Sequence, residues 1–192
     1  MHSAKSEIIH HAQVMIQKYG FNDFSFRDIA EKVGIKSSSI HYHFPTKADL
    51  GRAVAENYRQ QFLAELHQAE TENDDPVKLL EFFTSQFRRT LLDGHKMCLC
   101  GMLSAESQSL PESMTEVIRS FFNDCINWLS ALLKRQKDTH NLVYQADSET
   151  EAKLFIASLE GGLIIAKGLG DVNVFDKISD VALKKYQRHG SS

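Results

Sequence analysis

Signals that start and stop helices follow one another closely in the first fifty residues of the chain. Ser25 and Asp28 place a hydroxyl at a helix start and a carboxylate three residues later, which is the spacing of a capping box. The same spacing recurs at Thr46 and Asp49. Gly34 comes directly after an apolar stripe, where a glycine commonly ends a helix. Because so little chain separates these signals, they leave room only for short helices.

The residues around these signals predict three helices in succession. Residues 6–19 carry apolar side chains at the spacing of one helix face, and Gly20 ends that stretch. A short helix is predicted from residue 26 to the stop at residue 34, and a second over residues 36–43. Two short helices joined by a glycine-containing turn form a helix-turn-helix motif.

The segment GIKSSSIHYHFPTK contains the second short helix. Ile40 and Phe44 are four residues apart, so we expect both to lie on one helix face and to anchor it inward. Small hydroxylated residues at the start of such a helix can approach a DNA major groove closely. A solvated surface helix is the alternative, but the flanking turn and caps favour DNA binding. The polar residues left facing outward are Lys36, Ser37, Ser38, Ser39, His41 and His43.

Composition favours an all-α fold. The chain has 192 residues with only 3 prolines and 10 glycines, so few residues would break helices. Its 3 cysteines are an odd number that does not suit a disulfide framework. No apolar run approaches the roughly 20 residues of a membrane helix, and the start of the chain lacks the apolar core of a signal peptide. We therefore expect a cytoplasmic protein.

Charge is distributed unevenly along the chain, whose net charge is −3 at pH 7. Residues 1–50 contain six Lys and Arg against five acids, a charge of +1. The remaining 142 residues contain sixteen against twenty, a charge of −4. A mildly basic amino-terminal region on an acidic body is compatible with nucleic-acid binding.

The stretches IIHHAQVMIQKYGF, SFRDIAEKVGI and SSSIHYHFPTKADL follow one another between residue 8 and about residue 58. In order and spacing they resemble the DNA-binding head of the TetR family of bacterial transcription regulators. The resemblance implies an all-α homodimer that usually acts as a repressor. It implies a helix-turn-helix DNA-binding domain over residues 1–50 and a larger helical ligand-binding and dimerisation domain over residues 51–192.

The implied partners are an operator of double-stranded DNA, a second copy of the chain, and a small-molecule inducer or electrophile. We expect no cofactor and no membrane association. Metal binding is not expected either, because His41 and His43 are two residues apart on a helix and point in different directions. His10 and His11 diverge likewise.

The resemblance and the side-chain chemistry together identify the residues expected to contact DNA. Ser25 and Arg27 begin the first short helix, beside the DNA backbone. The three serines lead the second short helix. Lys36 is a candidate for a guanine contact or for a phosphate contact. The full predicted set is Ser25, Arg27, Lys36, Ser37, Ser38, Ser39, His41, Tyr42, His43 and Lys47.

Two positions depart from the family pattern. Ser38 stands where the family usually has a glycine, and a serine should be tolerated on a helix. His41 stands where the family usually has a tyrosine. Its imidazole keeps a planar donor, but we expect its phosphate contact to depend on protonation.

The body of the chain predicts further helices. They are expected over residues 50–70, from residue 76 to about 92, from about 97 to a stop at Pro111, over 113–137 and over 149–168. The last two correspond in order to the helices that form the four-helix bundle of the family's dimers.

The last of these helices contains LFIASLEGGLIIAKGL, which is apolar on nearly every side. Such a helix must be covered on more than one side, by its own body and plausibly by a second chain. The central helix of a monomer is the alternative. Gly161 and Gly162 each cost about 1 kcal/mol relative to alanine in a helix, which suggests close helix approach or room for a ligand.

Cys98 is the candidate sensor. It follows Gly94-His95-Lys96, and a helix start with nearby cations favours the reactive thiolate. The segment MCLCGMLSAE is similar to the electrophile- and oxidant-sensing, NemR-like branch of the family, in which a lysine can lie near the cysteine. Lys167 holds the matching place here. A buried structural thiol, with Lys167 reaching solvent, is the alternative, and we expect Cys100 and Cys125 to be core residues.

Aromatic and methionine side chains at helix spacing could line an apolar pocket, although such residues are more often plain core. The pocket candidates are Phe83, Phe87, Met102 and Phe122. Our interpretation is a dimeric repressor, released from a palindromic operator by an inducer or by modification of Cys98. The first rival is a regulator of an unreactive apolar molecule, with structural cysteines. A remote rival is a cysteine-nucleophile enzyme with His95 as base, whereas our interpretation predicts no enzyme activity.

Overall fold

All regular secondary structure in the computed structural model is helical within the residues that it describes, which are 3–140, 144 and 146–186. The expected all-α fold is confirmed, and no strand occurs in these ranges. Within them, no helix combines the length and the apolar character needed to cross a membrane. The helices are α1 (Ala4–Tyr19), α2 (Phe26–Val33), α3 (Ser37–His43), α4 (Lys47–Glu72), α5 (Pro76–Leu92), α6 (Leu99–Ala105), α7 (Glu112–His140), α8 (Ser148–Leu169) and α9 (Val172–Lys184), with a 3-10 turn at Ser107–Ser109.

Both predicted capping boxes are present. At the start of α2, the Ser25 N–H donates to Asp28 Oδ2 at 2.7 Å, and the Asp28 N–H donates to Ser25 Oγ at 3.4 Å. At the start of α4, the corresponding distances between Thr46 and Asp49 are 3.0 and 3.1 Å. Gly34 ends α2 with a left-handed φ of 75°, which glycine adopts without steric cost. These local contacts set the short helices and the turn between them.

The first of two compact units comprises the described residues up to Phe62 together with Lys96–Phe122. It therefore holds α1, α2 and α3, most of α4, all of α6 and the start of α7. Its core includes Ile8, Ile16, Ile29, Ile40, Leu50, Leu103 and Met114. The compact unit that contains the helix-turn-helix thus extends beyond residue 50 of the chain.

The second unit comprises Leu63–His95 and the described residues from Asn123 onward. In it, α8 packs on α9 and both contact α5. Phe83, Phe155 and Phe175 are buried in its core. A Cβ built on Gly162 would lie 3.1 Å from the Phe175 ring, so this glycine allows α9 to approach α8 closely.

The helix α9 is missing from the sequence prediction, which ends the last helix near residue 168. Gly170 ends α8 with a φ of 68°, and Asp171 then caps α9 by accepting from the Asn173 N–H at 2.9 Å. Apolar residues follow at helix spacing, including the buried Phe175, so the signal was present in the sequence. The prediction that the chain's helices end near residue 168 is therefore wrong, because α9 follows α8 in the described residues.

Candidate nucleic-acid interface

Two apolar side chains fix α3, as predicted. Ile40 is fully buried and Phe44 is 4% exposed. At the end of the helix, the Phe44 N–H donates to the Ile40 carbonyl at 2.8 Å. Because this side of α3 packs inward, the other side is left accessible. The residues found exposed or half-buried there are Lys36, Ser37, Ser38, Ser39, His41, Tyr42 and His43.

Tyr42 is 85% exposed, which is unusual for so large an aromatic side chain. Its ring meets that of His43 edge to face, with centroids 5.2 Å apart. The phenol can donate a hydrogen bond to a phosphate oxygen, and the exposed ring can lie against a sugar. Tyr42 thus presents a contact surface one helical turn beyond the exposed Ser38.

The ring of His41 is held in one orientation. It meets the ring of Phe26 at a centroid distance of 4.7 Å, and its Nδ1 lies 3.4 Å from the carbonyl oxygen of Pro45. When Nδ1 carries the proton that faces this carbonyl, the neutral ring has only an acceptor at Nε2. In that tautomer, a hydrogen bond from Nε2 to a phosphate requires the protonated imidazolium.

Ser25 and Arg27, the two residues predicted to contact DNA at the start of α2, differ in how available their side chains are for that contact. Ser25 already uses its hydroxyl in the cap, where Oγ donates to Asp28 Oδ2 at 2.7 Å. These hydrogen bonds from Ser25 lower the pKa of Asp28. Arg27 is exposed, and its Nε lies 3.3 Å from Glu31 Oε1. Since exposed pairs of this kind are weak, a phosphate can compete for the Arg27 guanidinium.

Lys47 begins α4, and its ammonium is engaged within the first unit. Its Nζ donates to the Asn22 carbonyl at 3.2 Å and lies 5.0 and 4.5 Å from the ring centroids of Phe21 and Phe24. Burial lowers the pKa of Lys47, while nearby carboxylates, first that of Glu106, act in the opposite direction. Lys47 therefore holds the turn before α2, a role that local sequence patterns do not reveal.

Cys98 is the N-cap of α6 rather than a residue of its first turn. Its side chain is 1% exposed, and the Tyr58 hydroxyl lies 3.8 Å from its Sγ. Cys100 and Cys125 are fully buried, which confirms their prediction as core residues. Burial raises the pKa of the Cys125 thiol well above its ordinary value. A reagent can reach Cys98 only when the surrounding side chains move.

The predicted sensing residues are divided between the two units. The first unit contains Cys98, Met102 and Phe122, and the second contains Phe83, Phe87 and Lys167. Phe83 stacks on Trp128 with ring centroids 5.8 Å apart, and it meets Phe87 at 5.4 Å. Both phenylalanines are buried, so in this structure they act as core side chains of the second unit.

One face of α8 is apolar and lies uncovered in the described structure. Leu154, Ile164, Ile165 and Leu169 are 52%, 62%, 49% and 68% exposed. A Cβ built on Gly161 would meet no atom of the described residues within 4 Å, in contrast to the neighbouring Gly162. Helix periodicity groups these residues on one side. The outer face of α8 is defined here as Leu154, Ala157, Gly161, Ile164, Ile165 and Leu169.

Comparison with known proteins extends these observations. Residues 8–54 match the family described as bacterial regulatory proteins, tetR family. The matched range runs from α1 into the first part of α4 and so includes the whole helix-turn-helix.

Among the solved structures that resemble nearly the whole chain are two regulators described as belonging to the TetR family. A TetR-family transcriptional regulator from Agrobacterium tumefaciens is 31% identical, with a TM-score of 0.90 over 95% of this chain and 96% of that one. A TetR transcriptional regulator from Legionella pneumophila is 33% identical, with a TM-score of 0.87 over 97% of this chain and 99% of that one.

The reduced form of NemR from E. coli is 17% identical, with a TM-score of 0.78 over 94% of this chain and 95% of that one. At this identity the likeness to NemR shows a shared fold. It does not assign this chain to the electrophile-sensing branch.

Proposed function

Because the chain belongs to the TetR family of bacterial transcriptional regulators, we propose that it is a dimeric repressor that acts in the cytoplasm. Two copies of α3 would enter successive major grooves of a palindromic operator, with half-sites one helical turn, about 34 Å, apart. An inducer would stabilise a dimer whose heads are wrongly spaced. We assign residues 1–50 to DNA binding and residues 51–192 to ligand binding and dimerisation.

The observation that carries this proposal is the polar, exposed face of α3. Three small serines at its start allow close approach to base edges, while Lys36 and Tyr42 offer longer donors to phosphates. Ile40 and Phe44 hold the opposite side of the helix in the core, so this face is presented in a fixed orientation. A merely solvated helix has no need for a tyrosine that is 85% exposed.

The outer face of α8 supports the homodimer. Its four large apolar side chains are about half exposed or more, and burying them against a second copy would be favourable. Gly161 costs helix stability, yet no described residue packs closely enough to require it. A partner helix crossing at this point would explain the glycine, because small residues let two helices approach closely.

The signal that releases DNA is proposed to be a small-molecule inducer or modification of Cys98. Burial of Cys98 favours the inducer, since a thiol that is 1% exposed reacts only after the structure opens. It equally supports the rival in which an unreactive apolar ligand is sensed and every cysteine is structural. We propose no catalytic role for Cys98.

Footprinting of the DNA upstream of the coding region tests this proposal. The parent should protect a palindromic segment, and an added inducer or a mild thiol oxidant should remove the protection. In the variant Cys98→Ser, an oxidant sensor loses its response to oxidant, whereas a sensor of an unreactive ligand keeps its response to that ligand. A parent that leaves every duplex unprotected at low salt would rule out the repressor function.

A further inference from the structure

The two ends of α6 are tied to the end of α1. Just before α6, Gln17 Nε2 donates to the Met97 carbonyl at 2.9 Å, and the Met97 N–H donates to the Gln17 carbonyl at 3.1 Å. Gln17 is 3% exposed, so this reciprocal pair is shielded from water. At the other end of α6, the C-cap Glu106 turns its carboxylate toward the residues that follow α1.

The carboxylate of Glu106 binds the turn between α1 and α2. The Phe21 N–H lies 3.1 Å from each of its oxygens. The backbone N–H and the side-chain amide of Asn22 donate to Glu106 Oε2 at 3.2 and 3.0 Å. On its other side, the Asn22 carbonyl accepts from Lys47 Nζ. The turn is therefore held between a carboxylate from α6 and an ammonium from α4, and such charge-assisted hydrogen bonds are strong.

Gly20 shows how closely Glu106 approaches this turn. A Cβ built on Gly20 would lie 2.0 Å from Glu106 Oε1, and the φ of Gly20 is 94°. A larger residue at this position would have to expel the carboxylate and adopt a strained backbone. The turn is thus shaped around a side chain that lies 85 residues further along the chain.

We propose that Glu106 is a positioning residue that couples α6 to the helix-turn-helix. The inference rests on the proposed DNA-binding function. Cys98 and Glu106 cap the two ends of α6, and at about 1.5 Å per helical residue they lie about 12 Å apart along the helix. A shift of α6 displaces the turn before α2 through the Glu106 carboxylate, and α3 moves with it because α2 packs on α3. Since coupling is reciprocal, operator binding also restricts α6.

The test compares the affinities of parent, Glu106→Gln and Glu116→Gln for the duplex that the parent selects from a random library. Glutamine keeps the size of the side chain but loses the charge and one acceptor oxygen. Glu116→Gln removes the same charge from an exposed position on α7 and serves as the matched control. We expect Glu106→Gln to weaken binding about tenfold, and the control to bind within about twofold of the parent.

Amide hydrogen exchange measures the effect of bound DNA on α6, which would not change if the role of Glu106 were merely structural. At saturating duplex, the parent should show slower amide exchange in α6 as well as in α3, although the proposed DNA contacts lie on α2, α3 and the start of α4. In Glu106→Gln, the DNA-dependent protection of α3 should remain and that of α6 should be lost.

A second variant keeps the test decisive if Glu106→Gln fails to fold. Asn22→Ala removes the side-chain donor to Glu106 Oε2 and to Ser109 Oγ but leaves the backbone hydrogen bonds. Asn22 has no left-handed φ, so alanine fits its backbone. We expect about threefold weaker binding and reduced protection of α6.

Parent-like affinity together with parent-like protection of α6, in whichever variants fold, would overturn the coupling role of Glu106. If the parent itself selects no duplex, the proposed DNA-binding function fails first, and the coupling role fails with it.

Discussion

The accessible faces of α3 and α8 have opposite chemistry. The face of α3 presents serines, imidazoles and a phenol, whereas the outer face of α8 presents leucines, isoleucines and a glycine. Both are accessible in the described structure, so exposure alone does not tell which partner each would bind. Hydroxyls and donors suit phosphates and base edges, while apolar side chains around a glycine suit a second helix.

We propose that DNA binding through α3 depends on the dimer joined through α8, whereas the dimer does not depend on α3. A dimer joined through α8 would place two copies of α3 on one operator, so loss of the dimer should also weaken DNA binding. Damage to α3 should leave the dimer intact. The following changes test this asymmetry.

The largest effect is expected from Ser38→Glu. A carboxylate at this exposed position of α3 would face phosphates and repel them, so specific operator binding should fall by more than about a hundredfold. Fluorescence anisotropy measures the affinity, and sedimentation should show an unchanged dimer. Ser85→Glu, on an exposed position of α5, is the control and should bind like the parent. Undiminished binding by Ser38→Glu would remove α3 from the interface.

A somewhat smaller effect is expected from Ile165→Glu. Burying an unpaired carboxylate in an apolar interface is costly, so the dimer should dissociate about a hundredfold more readily, and operator binding should weaken with it. Sedimentation equilibrium measures the dimer. Leu92→Glu places the same charge on an apolar side chain that is 58% exposed on α5, against 49% for Ile165. Equal behaviour of the two variants would contradict an interface on α8.

The adjacent glycines of α8 should respond differently to alanine. Gly162→Ala forces the Phe175 ring to give way by a few tenths of an ångström and should destabilise the chain by about 1 kcal/mol in urea unfolding. Gly161→Ala meets open space within the described chain and should favour the helix. It should nevertheless weaken the dimer several-fold if a partner helix crosses there. Identical effects of both substitutions would argue against that crossing.

The smallest effect is expected from His41→Tyr. The proposed phosphate contact of His41 requires the imidazolium form, so the parent should bind operator about twofold to threefold more weakly at higher pH than at lower pH. A tyrosine donor needs no added proton, so the variant should show a flatter pH profile. His67→Tyr, at an exposed position of α4, should keep the profile of the parent. Parallel profiles for parent and His41→Tyr would exclude the phosphate contact of His41.

The short helices could be predicted from sequence because their signals are local. Each capping box spans four residues, and the anchors Ile40 and Phe44 lie one helical turn apart. Such contacts follow from spacing alone. The same reasoning applies to α9, since Asp171 caps it and Phe175 lies on its apolar side. The predicted last helix ends at residue 168, just before these signals.

Other parts of the site depend on contacts between residues distant in sequence. Asn22 binds Glu106 across 84 residues and Lys47 across 25 residues, and no local pattern connects them. Gly161 and Gly162 are the same residue type in the same helix, yet only Gly162 packs closely against another helix of the described chain. Sequence patterns predict that a helix has two apolar sides, but they do not tell which side its own chain covers.

The most direct test of the dimeric repressor is an equilibrium titration of two labelled duplexes: the palindrome that the parent selects, and the same duplex reduced to one half-site. A dimeric repressor should bind one palindrome with two chains, and it should bind the half-site more than about a hundredfold more weakly because only one copy of α3 is engaged. Equal affinity for both duplexes, or binding of a single chain to the palindrome, would contradict it.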